Sequence, residues 1–221
     1  MRTAILASQN KNKIKEIKAI LEKYGLNVIS RDDAGIPTDD IEETGVTFEE
    51  NSYLKARTIF DMIRENPDLS NYLDSPVIAD DSGLMVDALD GAPGVFSARY
   101  AGEGCTYNDN NVKMLGELAG VPAEKRGAGF VTVITLIYPE DGHVPQTAVR
   151  EGDVYVLTAR GELRGTIAEE IRGTEGFGYD PLFIPQGMDN TFAELGTAFK
   201  NTISHRARAL QELERLLEAG E

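Results

Sequence analysis

One cysteine and two histidines are all that this 221-residue chain offers to soft metals or to disulfide chemistry. Cys105 has no partner for an internal disulfide, and one Cys with two His cannot assemble a Cys/His zinc centre. Any metal is therefore expected to be a hard cation on carboxylates, with Mg2+ the default. Positive charge is scarce as well: 22 Lys and Arg stand against 37 Asp and Glu, for a formal charge of -15. That balance argues against broad duplex DNA binding, which relies on a basic surface to displace counterions. It leaves room for a small anionic ligand wherever the few cations gather. No apolar run approaches the roughly 20 residues that span a bilayer, and the N-terminal "AILA" is too short for a signal-peptide core. The expectation is a cytoplasmic protein with neither nucleic acid nor a membrane as partner. Internal repeats, low-complexity segments and linkers are missing too, so residues 1–221 read as a single domain.

What remains is ordinary globular material, 41% apolar and 27% charged, long enough to bury a core. Thr3 to Ala7 reads as a short strand running into a helix on which Ile14, Ile17, Leu21 and Tyr24 recur, closed by Gly25. "NVIS" reads as a second strand. Thr47 and Glu50 form a capping-box pattern opening a helix to about Arg64, and "VIAD" reads as a buried strand ending at Asp80. A helix is expected around Asn110 to Ala119. The runs "AGFVTVITLIY", "QTAVREGDVYVLTA" and "GELRGTIAEEIRG" read as an antiparallel meander and "YDPLFIP" as a short strand. Leu210, Leu213 and Leu217 mark one face of a final helix. The class is α/β with a mixed sheet and a strand-rich lobe.

Four segments could carry chemistry. In "SQNKNK", a strand ends at Ser8 and a helix begins at once, so unpaired backbone N–H groups and the positive helix end meet. Lys11 and Lys13 sit where cations oppose the macrodipole, which suits an arriving anion; a solvated helix start with Asn10 as N-cap explains the same residues. The spaced glycines of a Walker A loop are absent. In "EETGVTFEENSYLKAR", Glu42 and Glu43 precede a helix on which Asn51 and Lys55 share a face, either as a solvated acidic loop or as a metal ligand with a phosphate-binding lysine. In "IADDSGL", Asp80 and Asp81 leave a strand end, where ligands of open α/β sheets gather. Successive side chains point opposite ways, so one can serve as metal ligand or base while the other supports it; an Asx turn is the alternative. Ser82 and Gly83 suit close backbone approach to a ligand. In "GTEGFGYDP" and "KNTISHRA", Phe177 and Tyr179 could present a ring face to a base. Lys200, His205 and Arg206 bring donors near the last helix, with Ser204 as N-cap. His143 lies in a Gly/Pro turn with no partner in view.

Taken in order, "SQNKNK", "EETGVTFEENSYLKAR", "IADDSGLMVDALDGAPGVFSARYAG", "GFGYDP" and "KNTISHRARAL" resemble the inosine triphosphate pyrophosphatase family, the dITP/XTP pyrophosphatases, over nearly the whole chain. The resemblance implies an elongated two-lobed α/β fold with a long mixed central sheet flanked by helices and an active site in the cleft between lobes. It implies Mg2+-dependent hydrolysis of ITP, dITP and XTP to monophosphate and pyrophosphate by a homodimer that cleanses the nucleotide pool. Carried over, Ser8, Gln9, Asn10, Lys11, Asn12 and Lys13 would contact the triphosphate with Lys55. Glu42 and Asp81 would hold Mg2+, with Asp81 also the proton acceptor. Ser82, Phe177, Gly178, Tyr179, Asp180, Lys200, His205 and Arg206 would complete the substrate site. Gln9 stands where many members have a smaller residue, and "RENPDLSNYLDSP" is longer than in compact members. A related house-cleaning enzyme for other nucleotides and a non-catalytic nucleotide sensor are the competing readings; the sensor has little use for Glu42 and Asp81 around a metal.

Overall fold

Alternation along the first strand sets the layering. In the computed structural model, β1 (Arg2–Leu6) turns Ala4 and Leu6 into one buried cluster and Ile5 into another, as a pleated strand covered on both faces must. Residues 2–8, 11–37, 41–140 and 143–220 are described, with the side chains of Lys11, Asn12, Lys13 and Glu16 outside the description. β2 (Leu26–Ser30) pairs with β1 in parallel from Arg2↔Leu26 to Leu6↔Ser30. β3 (Val77–Val86) pairs with β1 in parallel through Ile5↔Val77 and Leu6↔Ile78. β4 (Gly127–Pro139), β5 (Val149–Glu151), β6 (Val154–Ile167) and β7 (Phe183–Pro185) follow. Together they form a mixed seven-stranded sheet in the order β2-β1-β3-β4-β6-β5, with β7 antiparallel on β6.

The chain divides into two compact units, one of Met1–Asp81, Val133–Arg160 and Ala209–Glu221, the other of Ser82–Thr132 and Gly161–Arg208. In the first, α1 (Lys11–Leu21) and α6 (His205–Ala219) bury Ile17, Leu21, Leu210, Leu213 and Leu217 against one sheet face. On the other face α2 (Phe48–Glu65) buries Ala56, Ile59, Phe60 and Ile63. The Thr47–Glu50 capping box forms as expected, with Glu50 N–H donating to Thr47 Oγ1 at 3.1 Å. In the second unit, α3 (Tyr107–Glu117), α4 (Phe192–Leu195) and α5 (Thr197–Ile203) surround a core that includes Leu84, Met114, Phe130, Phe183 and Phe192.

The structure departs from expectation at five points. β3 does not end at Asp80 but runs on to Val86, so the two aspartates, Ser82 and Gly83 are strand residues and not an Asx turn. β1 gives out beside Ile78, where Ala7 N–H donates to the Ile78 carbonyl at 2.8 Å; β3 continues with β4 as its neighbour. The meander runs broken at Arg160 are one 14-residue strand, β6, while the expected run through "REGD" is split by a turn at Gly152, with φ of 63°. α3 starts three residues before the expected Asn110, because Thr106 and Asp109 form a second capping box. α4 and α5 occupy a stretch for which no helix was expected.

Candidate functional site

The first unit gathers its chemistry at α2 and β3. Asn51, 1% exposed, accepts the Gly45 N–H at 2.8 Å and so ties the acidic loop to the helix. A Cβ on Gly45 would meet Asn51 Oδ1, which is why glycine stands at this close approach. One turn along α2, Lys55 Nζ donates to Glu43 Oε1 and to Asp81 Oδ1, both at 3.0 Å. Burial works against the lysine charge, but Asp81 and Glu43 outweigh it and hold the ammonium above its ordinary pKa. Burial likewise pushes the Asp81 carboxyl up, against the pull of Lys55 and with help from Glu43 and Asp80. The remaining oxygen, Asp81 Oδ2, is buried with no hydrogen-bond partner. Asp80, the preceding residue on the strand, is also buried.

Glu42 is exposed and makes no hydrogen bond or ion pair among the described residues, whereas its neighbour Glu43 takes the lysine. Ser8 directly follows β1, half-buried, its N–H donating to the Leu6 carbonyl at 2.8 Å. Gln9 and Asn10 lie outside the described residues. Lys11, Asn12 and Lys13 form the first turn of α1, and their side chains lie outside the description.

The second unit holds a different cluster. Lys200, in the last turn of α5, donates to both oxygens of Asp180 at 2.7 and 2.6 Å. Both groups are buried, Asp180 to 1% exposure and Lys200 to 6%. Asp180 Oδ2 also accepts the Phe177 N–H at 3.0 Å. The Lys200 ammonium lies 4.3 Å from the centroid of the Phe177 ring, a cation–π separation. Gly176 makes the tight turn possible: its φ is +83°, and a Cβ there would run into the Asp180 carboxylate.

The two loop aromatics part company. Phe177 is exposed, while Tyr179 is buried and donates its hydroxyl to the Ser97 carbonyl at 2.9 Å. Gly178 accepts Asn111 Nδ2 at 3.0 Å through its carbonyl. His205 is buried and stacked on Phe130, ring centroids 4.7 Å apart, and Arg206 follows it on α6, half-buried. Ser204 caps α6, its Oγ accepting the Ala207 N–H at 3.2 Å. Ser82 Oγ lies 2.8 Å from Thr132 Oγ1 of β4.

In the first unit a half-buried lysine between two carboxylates suits a phosphorylated ligand in kind, and in the second an exposed ring beside a buried lysine–carboxylate pair suits a planar one. Comparison with known proteins narrows this. The sequence profile of the Ham1 family matches residues 4–216.

The chain belongs to the Ham1 family.

Its relatives include the dITP/XTP pyrophosphatase of Clostridium perfringens, 46% identical over 213 residues and spanning 96% of both chains. The dITP/XTP pyrophosphatase of Bacillus subtilis is 44% identical over 219 residues, 99% of this chain and 98% of that one. Among solved structures, the HAM1 protein from Coxiella burnetii superposes with a TM-score of 0.82 at 38% identity, covering 99% of each chain. The Staphylococcus aureus Ham1 protein does so with a TM-score of 0.81 at 37% identity, covering 100% of each.

For this Ham1 chain the structure unites Lys55, read from sequence beside Glu42 and Glu43, with Asp81 of another segment, and brings Phe177 together with Asp180 and Lys200. It sends Tyr179 and His205 into the second unit's core. Sequence reading missed Asn111, which holds the Phe177–Gly178 loop, and Tyr107, whose ring centroid lies 6.3 Å from that of Phe177. The available signal was "TYND", in which Thr106 and Asp109 show the helix opening just before Tyr107.

Proposed function

We propose that this Ham1-family chain hydrolyses deaminated purine nucleoside triphosphates (ITP, dITP and XTP) to the monophosphate and pyrophosphate with Mg2+. On this reading it acts in the cytoplasm, as a homodimer, and cleanses the nucleotide pool. The observation that carries the reading is Asp81: a buried carboxylate with one oxygen on Lys55 and the other without a partner.

The donor chemistry fits Mg2+. The described residues hold no group of three or more His, Cys, Asp and Glu that could cage an ion. Mg2+ needs no such cage, because it takes one or two carboxylates and fills its shell with water and phosphate oxygens. Asp81 through Oδ2 and Glu42, the loop carboxylate left outside the lysine pairing, are the residues that would hold it. Bound there, it would neutralise phosphate charge and ease loss of a water proton.

The protein's own groups do the rest. Asp81, a buried carboxylate anchored through one oxygen by Lys55, would be the proton acceptor for the attacking water. Lys55 balances its charge and offers a cation to the phosphates; Ser8 and the start of α1, with Lys11 and Lys13, offer an anion site. Attack at the α-phosphorus expels pyrophosphate, so catalysis rests on positioning and charge stabilisation. In the second unit Phe177 gives the base a face, and Lys200, a donor, favours the 6-oxo group of hypoxanthine and xanthine over the amino group of adenine.

The test is Asp81→Asn beside Glu42→Gln, assayed for pyrophosphate release across a Mg2+ titration. Asp81→Asn should abolish release while the variant stays folded. Glu42→Gln should shift the Mg2+ requirement upward. Near wild-type turnover in Asp81→Asn would refute the assignment.

A further inference from the structure

Tyr107 and Phe177 are large rings left in solvent, 58% and 47% exposed. Exposed aromatics held together on well-anchored backbone are a recognised mark of a binding surface. Both anchors are explicit here. Tyr107 is the first residue of α3, fixed by the Thr106–Asp109 capping box. In the next turn Asn110, 2% exposed, accepts the Ala101 N–H at 2.7 Å. Phe177 is fixed by its N–H on Asp180. The two supports are joined directly, since Asn111 of α3 donates to the Gly178 carbonyl at 3.0 Å. The spacing between the rings is therefore set by hydrogen bonds and not by their own contact.

That spacing is informative. The ring centroids lie 6.3 Å apart with the planes inclined at 44°. A planar molecule stacked between two rings needs about 7 Å between them, twice an aromatic contact distance of about 3.5 Å. The gap is a wedge about 0.7 Å short of that width, and the two exposed rings would turn apart to admit a base. Lys200 also sits against Phe177, 4.3 Å from its centroid, a cation–π contact that helps to hold this ring in place.

We infer that Tyr107 is the second wall of the base site whose first wall is Phe177. This rests on the reading of Phe177 as a base platform given above. A bicyclic purine overlaps both rings more fully than a pyrimidine does, so Tyr107 contributes to purine preference as well as to affinity. Stacking acts equally on bound substrate and transition state, and its loss appears in KM with kcat unchanged.

The chain contains no tryptophan, which makes Tyr107→Trp a single-indole reporter. Its fluorescence should fall saturably with inosine monophosphate and stay flat with ribose 5-phosphate, with calorimetry on the same protein measuring binding independently. Tyr107→Ala should raise KM for ITP about fivefold or more, the scale of one lost base–aromatic stack, and Tyr107→Phe should restore it. Calorimetric binding of inosine monophosphate with a silent indole, or an unchanged KM in Tyr107→Ala, overturns the Tyr107 wall and leaves the proposed activity standing. If the wild-type protein binds neither inosine monophosphate nor ITP by calorimetry, the proposed activity and the wall fall together.

Discussion

Replacing Asp180 by Asn keeps the shape of the second cluster and removes its negative charge. Lys200, 6% exposed, then holds an ammonium in the core of its unit without the carboxylate that now takes two hydrogen bonds from it at 2.7 and 2.6 Å. Breaking a buried pair on one side costs about 3–5 kcal/mol, because the surviving charge stays desolvated. For a chain of this size that is a fall of roughly 6–20 °C in Tm. Lys200→Met should cost a similar amount for the mirror-image reason, leaving Asp180 buried with the Phe177 N–H. The double variant removes both charges, so its loss should be well below the sum of the singles, with a coupling of at least about 2 kcal/mol. Urea unfolding of the four proteins at pH 7 measures this directly. Additivity within about 0.5 kcal/mol would show that the two groups do not depend on each other and would refute the reasoning.

Other outcomes follow from single features. Gly176→Ala forces a side chain into a φ of +83° against the Asp180 carboxylate; it should destabilise by at least about 1 kcal/mol in urea titrations and weaken nucleotide binding by calorimetry. Buried Arg126 donates to the Leu118, Val121, Ile167 and Ala168 carbonyls. Arg126→Met should therefore cost about 3 kcal/mol or more in the same titrations, with Arg126→Lys recovering only part, since an ammonium has fewer donors and no planar fork. Asp109 and Glu194 are held below the ordinary carboxylate range first of all by backbone N–H groups of Thr106 and Thr191. A carboxyl depressed by folding contributes stability that is present above its unfolded pKa and lost as pH falls through the folded one. Asp109→Asn combined with Glu194→Gln should therefore flatten the loss of stability below about pH 4 in a thermal-melt series from pH 7 to 3.

Much of the fold was legible wherever one local rule acted alone. The Thr47–Glu50 box, the Ile17–Leu21 spacing and the Leu210–Leu213–Leu217 face all depend on neighbours within two turns, and all are found. The length of β3 was hidden because "DDSG" has turn chemistry, and only its place in the sheet keeps it extended. β6 was read as two strands because Arg160 and Gly161 look like a break; pairing along the sheet overrides them. In the candidate site, Phe177, Asp180 and Lys200 could be grouped from sequence, since charge and ring chemistry single them out, whereas Lys55 and Asp81 stand in separate segments and only the fold pairs them. Glu43 as the lysine's partner could not be told from Glu42, because the choice turns on how Asn51 folds the loop back. Tyr179 and His205 were singled out by type, and their burial against the Ser97 carbonyl and the Phe130 ring could not be read from their own segments. Tyr107 belongs to a segment 70 positions from Phe177, and no local pattern connects the two.

The central claim is that this Ham1-family chain releases pyrophosphate from deaminated purine triphosphates in preference to ordinary ones. The direct measurement is pyrophosphate release from dITP, XTP, GTP and dTTP under identical conditions, each with Mg2+ and with a chelator. The account predicts rapid release from dITP and XTP, little from GTP and dTTP, and none with the chelator. Equal rates on GTP and XTP, or release that persists with the chelator, would contradict it.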